Sequence, residues 1–142
     1  MAFQSTVSTL QPFGVPGELY LDGPVRSAPY LLDSADAAYN IIGATAFSVK
    51  SEGVAEAGGT GVFAGILANP KVYSSAGTSA GGTLAPTLTL RNDELSEMVS
   101  MGTLIVTLPA AAAIGDKVVY NTTSGVLATV PAVASFTGVI AV

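Results

Sequence analysis

The apolar residues of this chain come in short runs, and nearly every run is closed by Gly, Pro, Asn, Asp or Ser. Sixteen glycines and eight prolines supply much of that punctuation. Gly is entropically costly inside a helix and Pro removes a backbone donor, whereas a strand needs only about four to eight residues between turns. The chain therefore reads as many short strands, expected at Glu18–Leu21, Ala44–Val49, Val62–Ala68, Thr87–Leu90, Thr103–Leu108, Lys117–Tyr120, Val126–Val130 and Thr137–Val142. Thr87 to Leu90 alternates Thr and Leu, the period of a half-buried strand. In the last third, Val118–Tyr120 and Val126–Val130 flank Asn121-Thr122-Thr123-Ser124-Gly125, which predicts a hairpin with a Gly-containing loop.

Helix is scarce. Arg91–Met101 is the best candidate, with Asn92 or Asp93 as its cap and acidic residues in its first turn; the alternative is a loop leading into the strand at Thr103. Asp33–Tyr39 is expected to form a turn. At 142 residues one domain is the default, and a domain of this size buries roughly 70% of its unfolded surface. The expected fold is all-β: a single-domain β-barrel or β-sandwich with short hairpins, at most one or two short helical turns, and an extended N-terminal arm. The arm is assigned to residues 1–16 and the barrel or sandwich to residues 17–142.

Charge narrows the function. Only 11% of residues are charged, against a usual share of about 25%. The net charge is −5, and the five basic residues are well separated along the chain. Nucleic-acid binding needs clustered Lys and Arg to displace counterions, so no nucleic-acid partner is expected, and no polybasic membrane anchor either. Met98–Gly115 carries no charge, but Ser100, Gly102, Thr103, Thr107 and Pro109 interrupt it, so no membrane span is expected. The first ten residues lack the basic and apolar regions of a signal peptide.

His, Cys and Trp are absent. Without imidazole or thiol the chain has no Ser–His–Asp or Cys–His machinery and lacks the preferred zinc ligands. We expect no enzyme, no catalytic residues, no cofactor and no metal. The densest carboxylates, Asp93, Glu94 and Glu97, read as a solvated acidic turn, and Asp33 with Asp36 lacks the ligand count of a calcium loop. Gly59-Thr60-Gly61-Val62-Phe63-Ala64 fits the letters of a dinucleotide fingerprint, yet Asn69-Pro70 stops any following helix and no acidic residue lies between Glu56 and Asp93.

Two segments stand apart from the core. Phe3, Val7, Leu10 and Phe13 recur every three or four residues before Pro16, either as a frayed terminus or first strand, or as an arm carrying apolar anchors to a neighbour. Ser74–Pro86 is a flexible polar loop by composition, an exposed tip or a second contact.

The layout of Gly23–Pro29 (GPVRSAP), Gly58–Tyr73 (GGTGVFAGILANPKVY) and Ala112–Leu127 (AAIGDKVVYNTTSGVL) resembles the small decoration or structural cement proteins of tailed bacteriophages. The resemblance covers most of the chain from about Pro16. It implies a β-barrel or β-sandwich on the exterior of an assembled shell, usually a homo-oligomer (dimer or trimer) over contacts between capsid subunits. The implied partner is the major capsid protein, and the implied location is the virion, after synthesis in the host bacterial cytoplasm. Phe3, Val7, Leu10 and Phe13 are then the candidate capsid contacts. Two other readings share the composition. A tail or fibre subunit should form filaments or tubes alone, and a carbohydrate-binding module usually presents exposed aromatics, of which this chain has five Phe and five Tyr.

Overall fold

In the computed structural model the described residues are 14–20, 23–68, 89–131 and the backbone of 139–141. In chain order the elements are β1 (Leu19–Tyr20), β2 (Arg26–Leu32), a 3-10 turn (Ala37–Tyr39), β3 (Ala46–Ser51), β4 (Val54–Ala57), β5 (Phe63–Leu67), β6 (Leu95–Met101), β7 (Thr103–Leu104), β8 (Lys117–Asn121), β9 (Leu127–Val130) and β10 (Val139–Ala141). The protein is all-β. Strands β2-β4-β3-β5-β6 close into a barrel, β1 pairs with β7, and β10-β8-β9 form a separate three-stranded sheet.

The barrel closes because β6 pairs antiparallel with both β5 and β2, while β2 meets β4 in a short parallel contact, Leu31 with Val54 and Leu32 with Ala55. The ring is joined along β2 only at Leu31 and Leu32, and among the described residues Arg26–Tyr30 pair with β6 alone. Register shifts at Arg26/Ser27, Phe47/Ser48 and Val49/Ser51 bend these strands, which a five-stranded barrel requires.

Inside sit Leu32, Ile42, Phe47, Ala55, Ala64, Leu67, Leu90 and Met98. Strand β3 is buried on both faces at its start: Phe47 points into the barrel, and Ala46 packs outward against Tyr120 and Leu127 of the β8–β9 hairpin. Phe63, Ile66, Val106, Leu108 and Val118 complete this second core. Phe63 and Tyr120 stack with ring centroids 6.2 Å apart. A buried polar pin ties the barrel end together. Asn92 Oδ1 accepts from Asn40 Nδ2 (2.9 Å) and Ser34 N–H (3.1 Å), and Ser34 Oγ donates to Asn40 Oδ1 (2.6 Å) while accepting from Ala57 N–H (2.9 Å). These bonds satisfy groups that would each be costly to bury alone.

The predicted hairpin is present. Asn121 Oδ1 accepts from the N–H groups of Thr123 and Ser124, and Gly125 N–H donates to Asn121 O at 2.8 Å. Asp36 caps the 3-10 turn through Ala38 N–H. The fingerprint letters at Gly59–Ala64 belong to a strand–loop–strand passage from β4 to β5.

Arg91–Met101 is a correction: it is neither helix nor loop but a turn at Asn92–Asp93 followed by β6. Asp93 adopts the left-handed region (φ 65°) and donates its N–H to Leu32 O, so the acidic residues that mimic a helix start instead aim the chain back along β2. Strands β2 and β4 were not foreseen. Of the expected strand Thr103–Leu108 only β7 is regular, and of Thr87–Leu90 Thr89 makes an isolated bridge with Ile41, residues 87 and 88 lying outside the described residues.

Candidate functional site

With no catalytic side chains expected, the site to find is a surface. Three of the four Phe, Val and Leu anchor candidates precede Pro12, and all four (Phe3, Val7, Leu10 and Phe13) lie outside the described residues, as does the Ser74–Pro86 loop. Their roots are described, and the fold brings those roots together.

The meeting point is the Ile42–Ala44 turn between the 3-10 turn and β3. Gly43 N–H donates to Leu67 O (2.9 Å), at the end of β5 where the chain departs into residues 69–88. Gly43 O accepts from Thr107 N–H (2.8 Å), on the segment that leads to Pro109. The α-carbon of Gly43 faces the arm's root. A β-carbon there would stand 2.2 Å from Gly17 N and 2.6 Å from the carbonyl carbon of Pro16, and φ is +67°, so only glycine fits. The arm root is fastened further by Gly17 N–H to Ile105 O (2.7 Å) and Ile105 N–H to Glu18 O (2.9 Å). The described residues that adjoin 1–13 and 69–88 and the segment leading to Pro109 thus share one neighbourhood.

Beside it lies the seam that joins the β8–β9 hairpin to the barrel. Ala46 N–H donates to Gly125 O (2.8 Å), Gly58 N–H to Ala46 O (2.9 Å) and Gly59 N–H to Thr122 O (2.7 Å). Gly58 and Gly125 press backbone to backbone, both at positive φ; a β-carbon on Gly125 would meet Ala46 O at 2.4 Å and Gly58 N at 2.7 Å. Two of the sequence segments singled out above, 58–73 and 112–127, meet here. That contact was invisible in the sequence, although Gly58-Gly59 marked one side and Gly125 the other.

Among the described residues the carboxylates do not converge. Glu97 accepts a hydrogen bond from Ser27 Oγ and lines a surface groove of about 310 Å³ with Ser27, Pro29, Leu95 and Ser96, where it is the one ionisable group among the described residues. Asp33 pairs with Lys50 at 2.8 Å, with Glu56 at 4.0 Å from the same ammonium. The Asp33 hydrogen bond holds the Lys50 ammonium above its ordinary pKa; partial desolvation opposes it, and the charges of Asp33 and Glu56 add to the rise. Exposed pairs of this kind contribute little to stability. Among the described residues no three His, Cys, Asp or Glu side chains are grouped as a metal site, and no helix is long and apolar enough to cross a membrane.

The described surface carries apolar side chains in place of charge: Val62, Leu95 and Ile114 are the most exposed, and Val15, Tyr20, Val25 and Met101 follow. Tyr20 of β1 pairs with Thr103, two residues beyond Met101, which pairs with Arg26 at the end of β6. No curated protein matches the chain. Residues 3–142, nearly the whole sequence, match the family described as structural cement protein (E217 gp24/Pam3 gp6), and the chain belongs to that family of phage structural cement proteins.

Proposed function

We propose that this protein binds the outer surface of an assembled phage capsid and staples neighbouring major capsid subunits, acting as a homo-oligomer (dimer or trimer) and without turnover. Membership in the family carries the coarser part: a phage structural cement protein belongs to the virion and associates with the capsid shell. The observation that supports the finer part is that the described residues adjoining 1–13 and 69–88, and the segment leading to Pro109, meet at Gly43. In this reading residues 1–16 are the arm, residues 17–142 the body, Phe3, Val7, Leu10 and Phe13 are the arm's anchors, and Ser74–Pro86 is a second contact.

A staple acts by binding the assembled shell better than its separate subunits. Occupancy at about 100 times the dissociation constant adds roughly 2.7 kcal/mol to the bound state, and a shell repeats that gain at every site. A stable contact buries on the order of 1,200–2,000 Å² in total, more than one segment offers, which favours several segments acting from one root. The test compares undecorated and decorated expanded shells during heating and at low ionic strength. Decorated shells should survive conditions that open bare ones; equal survival with the protein bound would remove stapling and leave attachment alone.

A further inference from the structure

The uncharged stretch Met98–Gly115 divides into two halves. Met98 and Val99 are buried in the barrel, and Val106 and Leu108 pack on the second core. From Pro109 to Gly115 the same stretch turns outward, and all seven residues are exposed, Ile114 completely so. The turn is nevertheless held in shape. Ala113 N–H donates to Asp116 Oδ2 (2.9 Å), Asp116 N–H donates back to Ala113 O (3.2 Å), and the stems are fixed by Thr107 on Gly43 and by Lys117 entering β8. An isoleucine raised on a braced turn, beside four alanines that lose no side-chain entropy on contact, is left without burial by the described residues.

We propose that Pro109–Gly115 is a preformed apolar anchor that seats in a hydrophobic recess of the capsid shell, with Ile114 as the inserted side chain. The inference rests on the cement reading above and adds to it a contact segment other than the arm and the 74–86 loop. Three observations select the shell as occupant. The chain's family associates with capsids. The Thr107 stem of the turn is bonded to Gly43, beside the Gly17 and Leu67 backbone that adjoins the proposed arm and the segment holding the proposed 74–86 contact. A second copy of this chain is disfavoured by area, because seven small residues fall short of the roughly 800 Å² per partner of a stable isologous dimer, while one knob among several contacts needs no such area. Bracing by Asp116 keeps the ordering cost of docking low.

The experiment titrates full-length protein onto undecorated expanded shells and reads occupancy by co-sedimentation, with melting temperature and sedimentation coefficient measured on the free protein. Ile114→Asp should weaken shell binding about ten- to hundred-fold at unchanged melting temperature, the scale of one apolar side chain left unburied, and Ile114→Leu should restore most of it. Wild-type occupancy by Ile114→Asp overturns the anchor and leaves the cement reading intact. A variant that keeps its affinity for shells but falls to a smaller free species assigns the turn to a second copy and also overturns it. If the wild type itself leaves the shells bare, the cement reading fails first and the anchor with it.

Discussion

Ala46 and Phe47 are neighbours on β3, yet they serve two regions held on different terms. Phe47 enters a barrel whose strands bond one another around a ring and whose centre is filled by Leu32, Leu67 and Met98. Ala46 faces a three-stranded sheet whose second core is small and whose attachment runs through backbone bonds at Ala44, Gly58, Gly59 and Gly125. The barrel depends on apolar volume, and the sheet depends on the closeness of two backbones. Removing atoms should therefore damage the first, and adding them the second.

The largest effect is expected from Phe47→Ala. Truncating a fully buried Phe leaves a cavity and costs about 3–5 kcal/mol, a large share of the stability of a domain this size. Because β3 belongs to both cores, barrel and sheet should unfold in one transition at a lower urea midpoint, followed by near-UV circular dichroism of the tyrosines and by far-UV signal. Two separated transitions would break the comparison by showing the sheet stable without the barrel.

Gly125→Ala tests the other side with a single methyl. The new carbon meets backbone rather than a movable side chain, and φ is +71°, so overpacking and left-handed strain together cost about 2–4 kcal/mol. The damage should be local. Hydrogen exchange of amides in β8 and β9, residues 117–130, should accelerate far more than that of Leu32, Phe47 and Met98 in the barrel. Uniform acceleration would mean that the seam is as central to the fold as the barrel core.

The same contrast explains what could be read in advance. The β8–β9 hairpin was legible because its signals are local: two β-branched runs and an Asn-to-Gly loop whose Asn side chain caps its own turn. Strand β6 was not, because its pattern runs against its burial. Leu95 is 72% exposed while Ser96 is 3% exposed, so alternation read by hydropathy points the strand the wrong way, and the acidic residues before it imitate a helix start. Strand β2 hid behind Pro29, tolerated because among the described residues β2 has a partner on one side only until Leu31 meets β4. The Gly43 neighbourhood and the Gly58–Gly125 seam depend on residues far apart in the chain, and spacing alone cannot pair them.

The smallest expected effect concerns the hydroxyl of Tyr120, in the middle of the second core. It is fully buried, and among the described residues it has no hydrogen-bond partner, so Tyr120→Phe removes a polar group that gains nothing from its surroundings. Stability near neutral pH should change by less than about 1 kcal/mol, and in the favourable direction if the ring keeps its place against Phe63. Alkaline pH should then separate the two proteins. Burial raises the Tyr120 pKa above its ordinary value near 10, so the folded state keeps the phenolic proton after the unfolded chain has begun to release it. Between the two values the unfolded state binds fewer protons, and stability falls as pH rises. Urea midpoints measured from pH 8 to 11 should decline more steeply for the wild type than for Tyr120→Phe, since the other tyrosines titrate in both. Parallel curves would place the hydroxyl in contact with water and show the hairpin to sit more loosely on β3 than its backbone bonds imply.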